Sequence, residues 1–218
     1  PEAARYAMEV KGLEIPSQEG RVAKSFGLGH ATSNRGADHL YALPTIDTAG
    51  LEDAARLHLA HVLPDVLDPK DERHKADLVV FSEHYCAVAD SLGVCKFSTV
   101  ETHPLHPEDL ARGARALGVE VTGDDLLRAG ERIVNLERMY NARLGLMSRD
   151  DRLPRRFTEE PMPVRRGDRV SHCAIERFDE MLARYYALRG WDQDGIPMPG
   201  KLEDLGLVRR FADAEVRE

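Results

Sequence analysis

The sequence predicts a mainly α-helical protein with a short extended segment at its start and long loops between its helices. Over three long stretches, apolar residues recur three and four positions apart, which is the spacing of one helix face. Glycine or proline closes most of the helical stretches, as expected at helix ends. With 218 residues, the chain is long enough to bury a sizeable core.

The first part of the chain combines an extended segment, a loop and a short helix. Residues 6–15 alternate loosely between apolar and polar positions, which favours a strand or extended segment that ends at Pro16. Residues 27–36 are rich in Gly, Ser, Thr and Asn, a composition typical of a loop or a loop-to-helix junction. A short helix is predicted over residues 51–63, because the apolar pattern stops at Pro64.

Three helices are predicted in the middle of the chain. The first covers residues 77–92, has five apolar residues on one face and stops at a glycine. The second covers 107–117 and begins with a proline, which suits the first helical turn. The third begins near Thr122, where Thr122 and Asp125 resemble a capping box ahead of a long apolar stripe.

The last third of the chain is predicted to contain one irregular segment and one long helix. Residues 149–167 are basic and rich in proline, which indicates an irregular excursion. Residues 171–189 carry Ile175, Phe178 and further apolar residues on one helical face, and Gly190 ends the pattern.

Composition excludes several classes of function. The net charge of −8, from 30 basic and 38 acidic side chains, argues against non-specific binding of nucleic acid. No run of about 18 apolar residues is present, so no membrane span is predicted. Without a signal-like start, we expect a cytoplasmic protein. Three widely spaced cysteines provide neither a disulfide framework nor a self-contained zinc site.

The segment Asp90–Cys95 is a candidate binding site at the end of a predicted helix. The carboxylate of Asp90 suits paired N–H donors of a heterocycle, and Gly93 lets a ligand approach the backbone. A thiolate at Cys95 suits an iron of an iron–sulfur cluster. A lone cysteine after a helix equally fits a small buried apolar residue, and the pattern leaves both interpretations open.

The segment Gly27–His39 is a second candidate. It matches neither the dinucleotide fingerprint nor a P-loop, because its glycines are misplaced and no Gly-Lys-Ser/Thr follows. Arg35 has the rigid fork of donors that holds an anionic oxygen pair, and His39 has an intrinsic pKa suited to proton transfer. A functional loop and a structural turn both remain open.

Other polar residues favour structural interpretations. His58 and His61 on one helix, and His103 and His106 in a loop, have no third ligand at a convincing spacing, so we expect them to be exposed. Three polar residues of one helix are interpreted as a structural ion-pair network: Glu131, Asn135 and Arg138.

Five segments together resemble the tungsten-containing aldehyde:ferredoxin oxidoreductase family. They occur in the family's order and span nearly the whole chain: Gly27–His39, Asp90–Cys95, Gly130–Gly145, Asp150–Phe157 and Met181–Pro197. One such segment is weak evidence, whereas five in order are specific. The resemblance implies a mainly α fold made of the helical C-terminal domains of the aldehyde ferredoxin oxidoreductase fold, after a short extended N-terminal segment.

The resemblance also implies a cofactor set, namely tungstopterin (or molybdopterin) and a 4Fe-4S cluster. Arg35 and Asp90 match residues that contact the pterin in this family, and Val94 and Lys96 lie beside the same pterin. Cys95 matches the fourth thiolate of the cluster and is the one metal ligand implied in this chain.

The implied reaction is the oxidation of a small aldehyde to a carboxylic acid, with electrons passing through the cluster to ferredoxin. His39 matches a histidine that lies near the metal and is proposed to handle substrate protons. Four departures from the family pattern leave the substrate open: Asp38 for a cysteine, His30 for a tyrosine, Val94 for a leucine, and Tyr41 where some members carry a lysine.

Residues 1–218 are therefore expected to be the C-terminal helical region of such an enzyme, without its N-terminal pterin-binding domain. The family's first cysteine trio and first Asp-x-x-Gly-Leu-Asp motif have no counterpart here, and one cysteine does not hold a cluster. We expect a fragment or one subunit of a split enzyme, inactive alone and compatible with a homodimer. The alternative is a non-catalytic helical module without cofactor. Asp90 and Cys95 favour the enzyme, whereas Asp38 and Tyr41 favour the module.

Overall fold

The computed structural model describes residues 6–208, and within this range the protein is mostly helical. The helices are α1 (Lys24–Thr32), α2 (His39–Ala42), α3 (Glu52–His58), α4 (Lys75–Leu92), α5 (Pro107–Ala116), α6 (Gly123–Arg143), α7 (Arg155–Glu159), α8 (Phe178–Arg189) and α9 (Pro199–Asp204). Two antiparallel hairpins pair β1 (Glu9–Val10) with β2 (Leu13–Glu14), and β3 (Met162–Arg166) with β4 (Arg169–Cys173). No helix in this range has the length and apolar character needed to cross a membrane.

α4 lies at the centre of the fold, where it contacts α1, α2, α6 and α8. Its 18 residues make it about 27 Å long. Leu78 and Tyr85, from the predicted apolar face, are fully buried. Gly93 ends the helix as predicted, with the left-handed φ of 67° that glycine adopts without strain.

α6 packs directly against α4 and begins as the sequence predicts. The Thr122 side chain accepts the backbone N–H of Asp125, and the Asp125 carboxylate accepts the backbone N–H of Thr122 in return. Further along α6, a Cβ on Gly130 would overlap the backbone carbonyl of His84. The two helices therefore approach each other more closely than any side chain at position 130 permits.

The polar residues of α6 are structural, but they do not form the single network we predicted. Arg138 pairs with buried Asp151 at 2.7 Å, and Glu131 pairs with Lys201 at 2.8 Å. Asn135 accepts a hydrogen bond from the buried indole N–H of Trp191 at 2.8 Å. Each residue thus connects α6 to a different part of the chain.

Residues 27–36, predicted as a loop or a loop-to-helix junction, are mostly helical because α1 covers residues 24–32. The glycines permit close packing here. A Cβ on Gly27 would lie 2.8 Å from Cδ1 of Ile175, and a Cβ on Gly29 would already contact Ala42 at 3.5 Å. The composition that indicated a loop therefore reflects a crowded, fully buried helix.

Two other predicted helices are shorter than expected. α8 begins at Phe178, and residues 169–173 pair as β4 with β3, from Met162↔Cys173 to Arg166↔Arg169. Ile175, which we assigned to the helix face, is buried ahead of the helix. α3 ends at His58, and a 3-10 turn over Ala60–Val62 replaces the rest of the helix predicted over 51–63. The extended start is present as the β1–β2 hairpin.

Candidate functional site

The candidate site lies where the C-terminal end of α4 meets α2, and Lys96 joins the two elements. Its ammonium donates to the backbone carbonyl of Leu40 at 2.8 Å and pairs with the Asp90 carboxylate, also at 2.8 Å. The Lys96 side chain is only 10 % exposed, so this contact is held inside the protein. The last turn of α4 is therefore fixed against the residue that follows His39.

The turn after α4 brings the predicted cofactor residues onto one surface. The Asp90 side chain is 58 % exposed despite its pairing with Lys96. Gly93 then reverses the chain, Val94 packs against the core between α2 and α4, and Cys95 is exposed. The end of this helix and the turn that follows it thus carry an exposed carboxylate and an exposed thiol.

The Cys95 sulfur lies among backbone donors. The N–H groups of Ser98 and Phe97 hydrogen-bond to it and lower the pKa of its thiol, which favours the thiolate. Cys86 is the opposite case: it is buried, it donates to the carbonyl of Ala42 at 3.2 Å, and burial raises the pKa of its thiol to about 12. Cys95 is therefore the thiol suited to bind a metal.

The segment before α2 and the turn after α4 meet at Leu40. Lys96 donates to the Leu40 carbonyl and pairs with Asp90. Asp38 accepts the backbone N–H of the same Leu40 at 2.7 Å and pairs with Arg35. The structure thus brings together residues that the sequence separates by more than 50 positions.

Arg35 is held at the edge of the site by two contacts. Its guanidinium pairs with Asp38 at 2.9 Å and lies 5.4 Å from the ring centre of Tyr41. Asp38 also caps α2, since its carboxylate accepts the backbone N–H of Leu40 at 2.7 Å. The Arg35 side chain remains 49 % exposed, so it is oriented but still available to a ligand.

Tyr41 faces the interior. Its hydroxyl donates to Glu137 at 2.7 Å and accepts a hydrogen bond from Asn34 at 2.8 Å. Burial and the Glu137 carboxylate raise the pKa of the phenol well above its usual value. Tyr41 therefore connects the segment before α2 to α6, and its ring lies against the Arg35 guanidinium.

The two histidines of this region differ in exposure. His39 is half-buried at the first position of α2, next to the Leu40 carbonyl that Lys96 contacts. His30 is fully buried in α1, and burial lowers its pKa to about 4. Among the described residues, neither ring nitrogen of His30 has a hydrogen-bond partner. His39 is thus the one of the two with access to solvent.

Three other histidines, which we expected to be exposed, form a corner against α4. His58 stacks on Phe81 with ring centres 4.4 Å apart, and its Nε2 lies 3.2 Å from Nδ1 of His106. His103 is 6 % exposed. The expected exposure was wrong for these three histidines, because the loop before α5 folds back onto α3. It was right for His61, whose side chain is 64 % exposed. No sequence spacing indicated this contact.

The sequence matches a known family over almost its full length. A family model described as aldehyde ferredoxin oxidoreductase, domains 2 and 3, covers residues 2–207. The chain belongs to the aldehyde ferredoxin oxidoreductase family. Membership confirms the resemblance read from the five segments and the predicted fold class, mainly helical C-terminal domains after a short extended start.

Curated members of the aldehyde ferredoxin oxidoreductase family are similar to the chain over most of its length. It is 40% identical over 210 residues to the tungsten-containing aldehyde ferredoxin oxidoreductase of Pyrococcus furiosus, which covers 94% of this chain and 31% of that protein. It is 37% identical over 208 residues to the protein of the same name from Thermococcus kodakarensis, with coverage of 93% and 31%. The chain thus spans about a third of the length of these relatives.

A solved structure has a similar fold. It is the active site complex BamBC of benzoyl coenzyme A reductase in complex with 1,5-dienoyl-CoA, with a TM-score of 0.62 over 98% of this chain and 35% of that one. The sequences are 20% identical, so this likeness concerns the fold alone.

The described residues contain no self-contained candidate metal site. Within residues 6–208, no group of three or more His, Cys, Asp or Glu side chains is placed to hold a metal ion. Cys86 and Cys173 are buried, which leaves Cys95 as the exposed thiol of the three. The roles of the predicted site residues toward a cofactor stay predictions.

Proposed function

We propose that the chain forms one wall of the active site of a tungsten- or molybdenum-pterin oxidoreductase. The enzyme would oxidise aldehydes to carboxylic acids and pass electrons through a 4Fe-4S cluster to ferredoxin. Curated relatives carry the name tungsten-containing aldehyde ferredoxin oxidoreductase, which supports the metal and the reaction class. Since the chain spans 31% of those relatives, we propose that it is inactive without the rest of the family's polypeptide.

The observation that carries this proposal is the double contact of Lys96. It connects Asp90, proposed to bind the pterin, to the carbonyl of Leu40, which follows His39 in α2. Residues proposed to bind cofactor and to move protons are therefore connected by one partly buried side chain. A helical module without a cofactor has no need of an exposed carboxylate and an exposed thiol in this arrangement.

The hydrogen-bonding groups of this surface fit a pterin. The exposed Asp90 carboxylate accepts N–H groups, and the half-exposed Arg35 guanidinium donates to oxygen or nitrogen acceptors. Val94, in the same turn, is partly buried against the core, and the Lys96 ammonium pairs with the Asp90 carboxylate. These residues bind and orient, and when bound, the metal-pterin and the cluster supply the electron-transfer chemistry.

Cys95 fits a thiolate ligand of iron. Its pKa is lowered by hydrogen bonds from two backbone N–H groups, and the same donors would stabilise negative charge on a ligating sulfur. The remaining cluster ligands would come from the part of the family's polypeptide that this chain does not span.

His39 is the proposed proton carrier. Conversion of an aldehyde and water to a carboxylic acid releases two protons with two electrons, so a side chain that accepts a proton beside the reacting carbon assists the reaction. His39 is half-buried at the first position of α2, directly before the backbone carbonyl that Lys96 holds. Its position at the site edge, rather than in the core like His30, suits this task.

Metal analysis under anaerobic conditions tests the proposal. We expect iron and tungsten or molybdenum to bind when the chain is combined with the rest of a family polypeptide, and Cys95→Ala to reduce iron content severalfold. Cys173→Ala, at a buried cysteine outside the site, is the matched control and should retain iron. Unchanged iron in Cys95→Ala would contradict the ligand assignment. Absence of metal from the wild-type assembly would favour the non-catalytic module.

A further inference from the structure

A concave surface of the described residues lies between Arg35 and α6, and its floor is apolar. The groove has a volume of about 960 Å³. Leu136, Tyr140 and Leu144 follow one another at four-residue spacing along it, which places them on a single face of α6. We call this surface the α6 groove.

The apolar side chains of the α6 groove are unusually exposed. Leu136, Tyr140 and Leu144 are 42%, 64% and 66% exposed. Single exposed apolar residues are ordinary on a protein surface, but a contiguous stripe of three beside a cavity marks an interaction surface. Tyrosine and leucine in such a stripe offer a large apolar area for a protein partner.

The α6 groove is rigid without any partner. Asn141 donates to the carbonyl of Asn34 at 2.7 Å, and Asn34 donates to the carbonyl of Val134 at 3.2 Å. Glu137, on the same helix, accepts the buried Tyr41 hydroxyl. Because both walls are fixed to each other, a partner would lose little free energy in ordering them.

We propose that the α6 groove is the docking surface for the part of the aldehyde ferredoxin oxidoreductase polypeptide that this chain does not span. Matched relatives extend well beyond the chain, which covers 31% of their length. One wall of the groove is Arg35, proposed above to contact the pterin, so the groove is continuous with the proposed cofactor surface. That the groove lies beside a cofactor rests on the proposed function.

Residues at the rim indicate what the docking segment contains. Arg35 and Arg143 line the groove beside the apolar stripe, together with Glu137, whose carboxylate accepts the Tyr41 hydroxyl. An apolar segment with a flanking carboxylate would match both the floor and the two arginines. A second copy of the chain is the competing occupant, and it would have to present its own stripe of exposed leucine and tyrosine.

The test uses two matched leucine substitutions in the full chain. Leu144→Glu places a charge in the groove. Leu57→Glu makes the same change at a leucine on α3 that is 61% exposed and lies outside the groove. The partner is the Pyrococcus furiosus relative without the region that matches this chain, produced as a separate polypeptide. Sedimentation velocity measures the dissociation constant, and thermal unfolding of each variant alone verifies that it folds.

We expect a one-to-one complex that Leu144→Glu weakens at least about tenfold and Leu57→Glu leaves within about twofold. Both variants alone should unfold like the wild type. Equal binding of the two variants, or no complex with the wild-type chain, would overturn the proposal. A dimer of the chain alone that Leu144→Glu dissociates would assign the groove to a second copy instead.

Iron content separates this proposal from the proposed function. A complex that binds iron but is insensitive to Leu144→Glu would remove the docking surface and leave the proposed function standing. A complex that depends on Leu144 but binds no iron would do the reverse.

Discussion

Carboxylates at the two ends of α4 differ in how completely they are paired. At the start of the helix, Asp47 pairs with Lys75 at 2.9 Å with both side chains fully buried, and Asp77 accepts two hydrogen bonds from Arg184. At the other end, Asp90 is 58% exposed. The first arrangement leaves little for another molecule to contact, whereas the second leaves a carboxylate and a nearby thiol available.

This contrast separates charges that are fully paired inside the fold from a charge that stays accessible to another molecule. A buried ion pair is strongly destabilised when one partner is removed, because the other charge is left without water or a counter-charge. An exposed pair contributes little, because water replaces the lost contact. The two ends of α4 should therefore respond very differently to the same type of substitution.

The largest effect is expected at the start of α4, where the carboxylates are fully paired. Asp47→Ala leaves the ammonium of Lys75 buried without its carboxylate, so we expect the free energy of unfolding to fall by about 3–5 kcal/mol. Urea unfolding followed by circular dichroism measures it. The double variant Asp47→Leu with Lys75→Met removes both charges and should recover part of the loss. If the free energy of unfolding of Asp47→Ala stays within about 1 kcal/mol of the wild type, the buried pair stabilises the fold no more than an exposed pair does.

An intermediate effect per residue is expected at the histidine corner beside the middle of α4. Burial lowers the pKa of His58 and His103 to about 4, against 6.5 when unfolded. The unfolded chain binds more protons between these values, so the free energy of unfolding falls as pH decreases from 6.5 to 4. At about 1.4 kcal/mol per pKa unit, we expect each of these two groups to account for a loss of about 3 kcal/mol between pH 6.5 and 4, most of it below pH 6.

Two phenylalanine variants isolate this contribution from the titration of carboxylates. His58→Phe keeps a ring against Phe81 but does not titrate, so its free energy of unfolding should depend less steeply on pH than that of the wild type. His172→Phe, on the exposed strand β4, is the control and should retain the wild-type slope. Identical slopes for both variants would show that the corner is not the source.

The smallest effect is expected at the C-terminal end of α4, where Asp90 is exposed. Asp90→Ala removes a half-exposed partner of Lys96, so the free energy of unfolding should change by less than about 1 kcal/mol. The same urea measurement applies. If the free energy of unfolding falls by more than about 3 kcal/mol, Asp90 stabilises the fold as the buried pairs do, and its proposed role in binding a ligand is weakened.

Long, strongly periodic elements were predictable from the sequence. α4 with its glycine stop and α6 with its capping box follow from local pattern, because burial of one face and satisfaction of terminal N–H groups act over a few residues. Residues 169–173 were not predictable as a strand, since their pairing with β3 lies outside the helical spacing that we followed. The helix α7 was not predicted, because its five residues are too few to show a helical repeat of apolar positions.

The candidate site was only partly predictable. The segments around Arg35 and Asp90 were identified from residue types and family resemblance, but nothing in the sequence indicated that Lys96 connects them through the Leu40 carbonyl. The α6 groove was also missed. The sequence predicted one apolar stripe along α6 that includes Tyr140 and Leu144, whereas the structure buries Val134 and Arg138 on another face and leaves Tyr140 and Leu144 exposed.

The close approach of α6 to α4 has a consequence for how the sequence tolerates change. Every substitution at position 130 adds a Cβ, and that atom overlaps the His84 carbonyl, which is backbone and therefore the same whatever residue occupies position 84. No second mutation of a side chain relieves the overlap. A saturation library of this chain should accept only glycine at position 130, while the exposed positions of the same helix accept many residues.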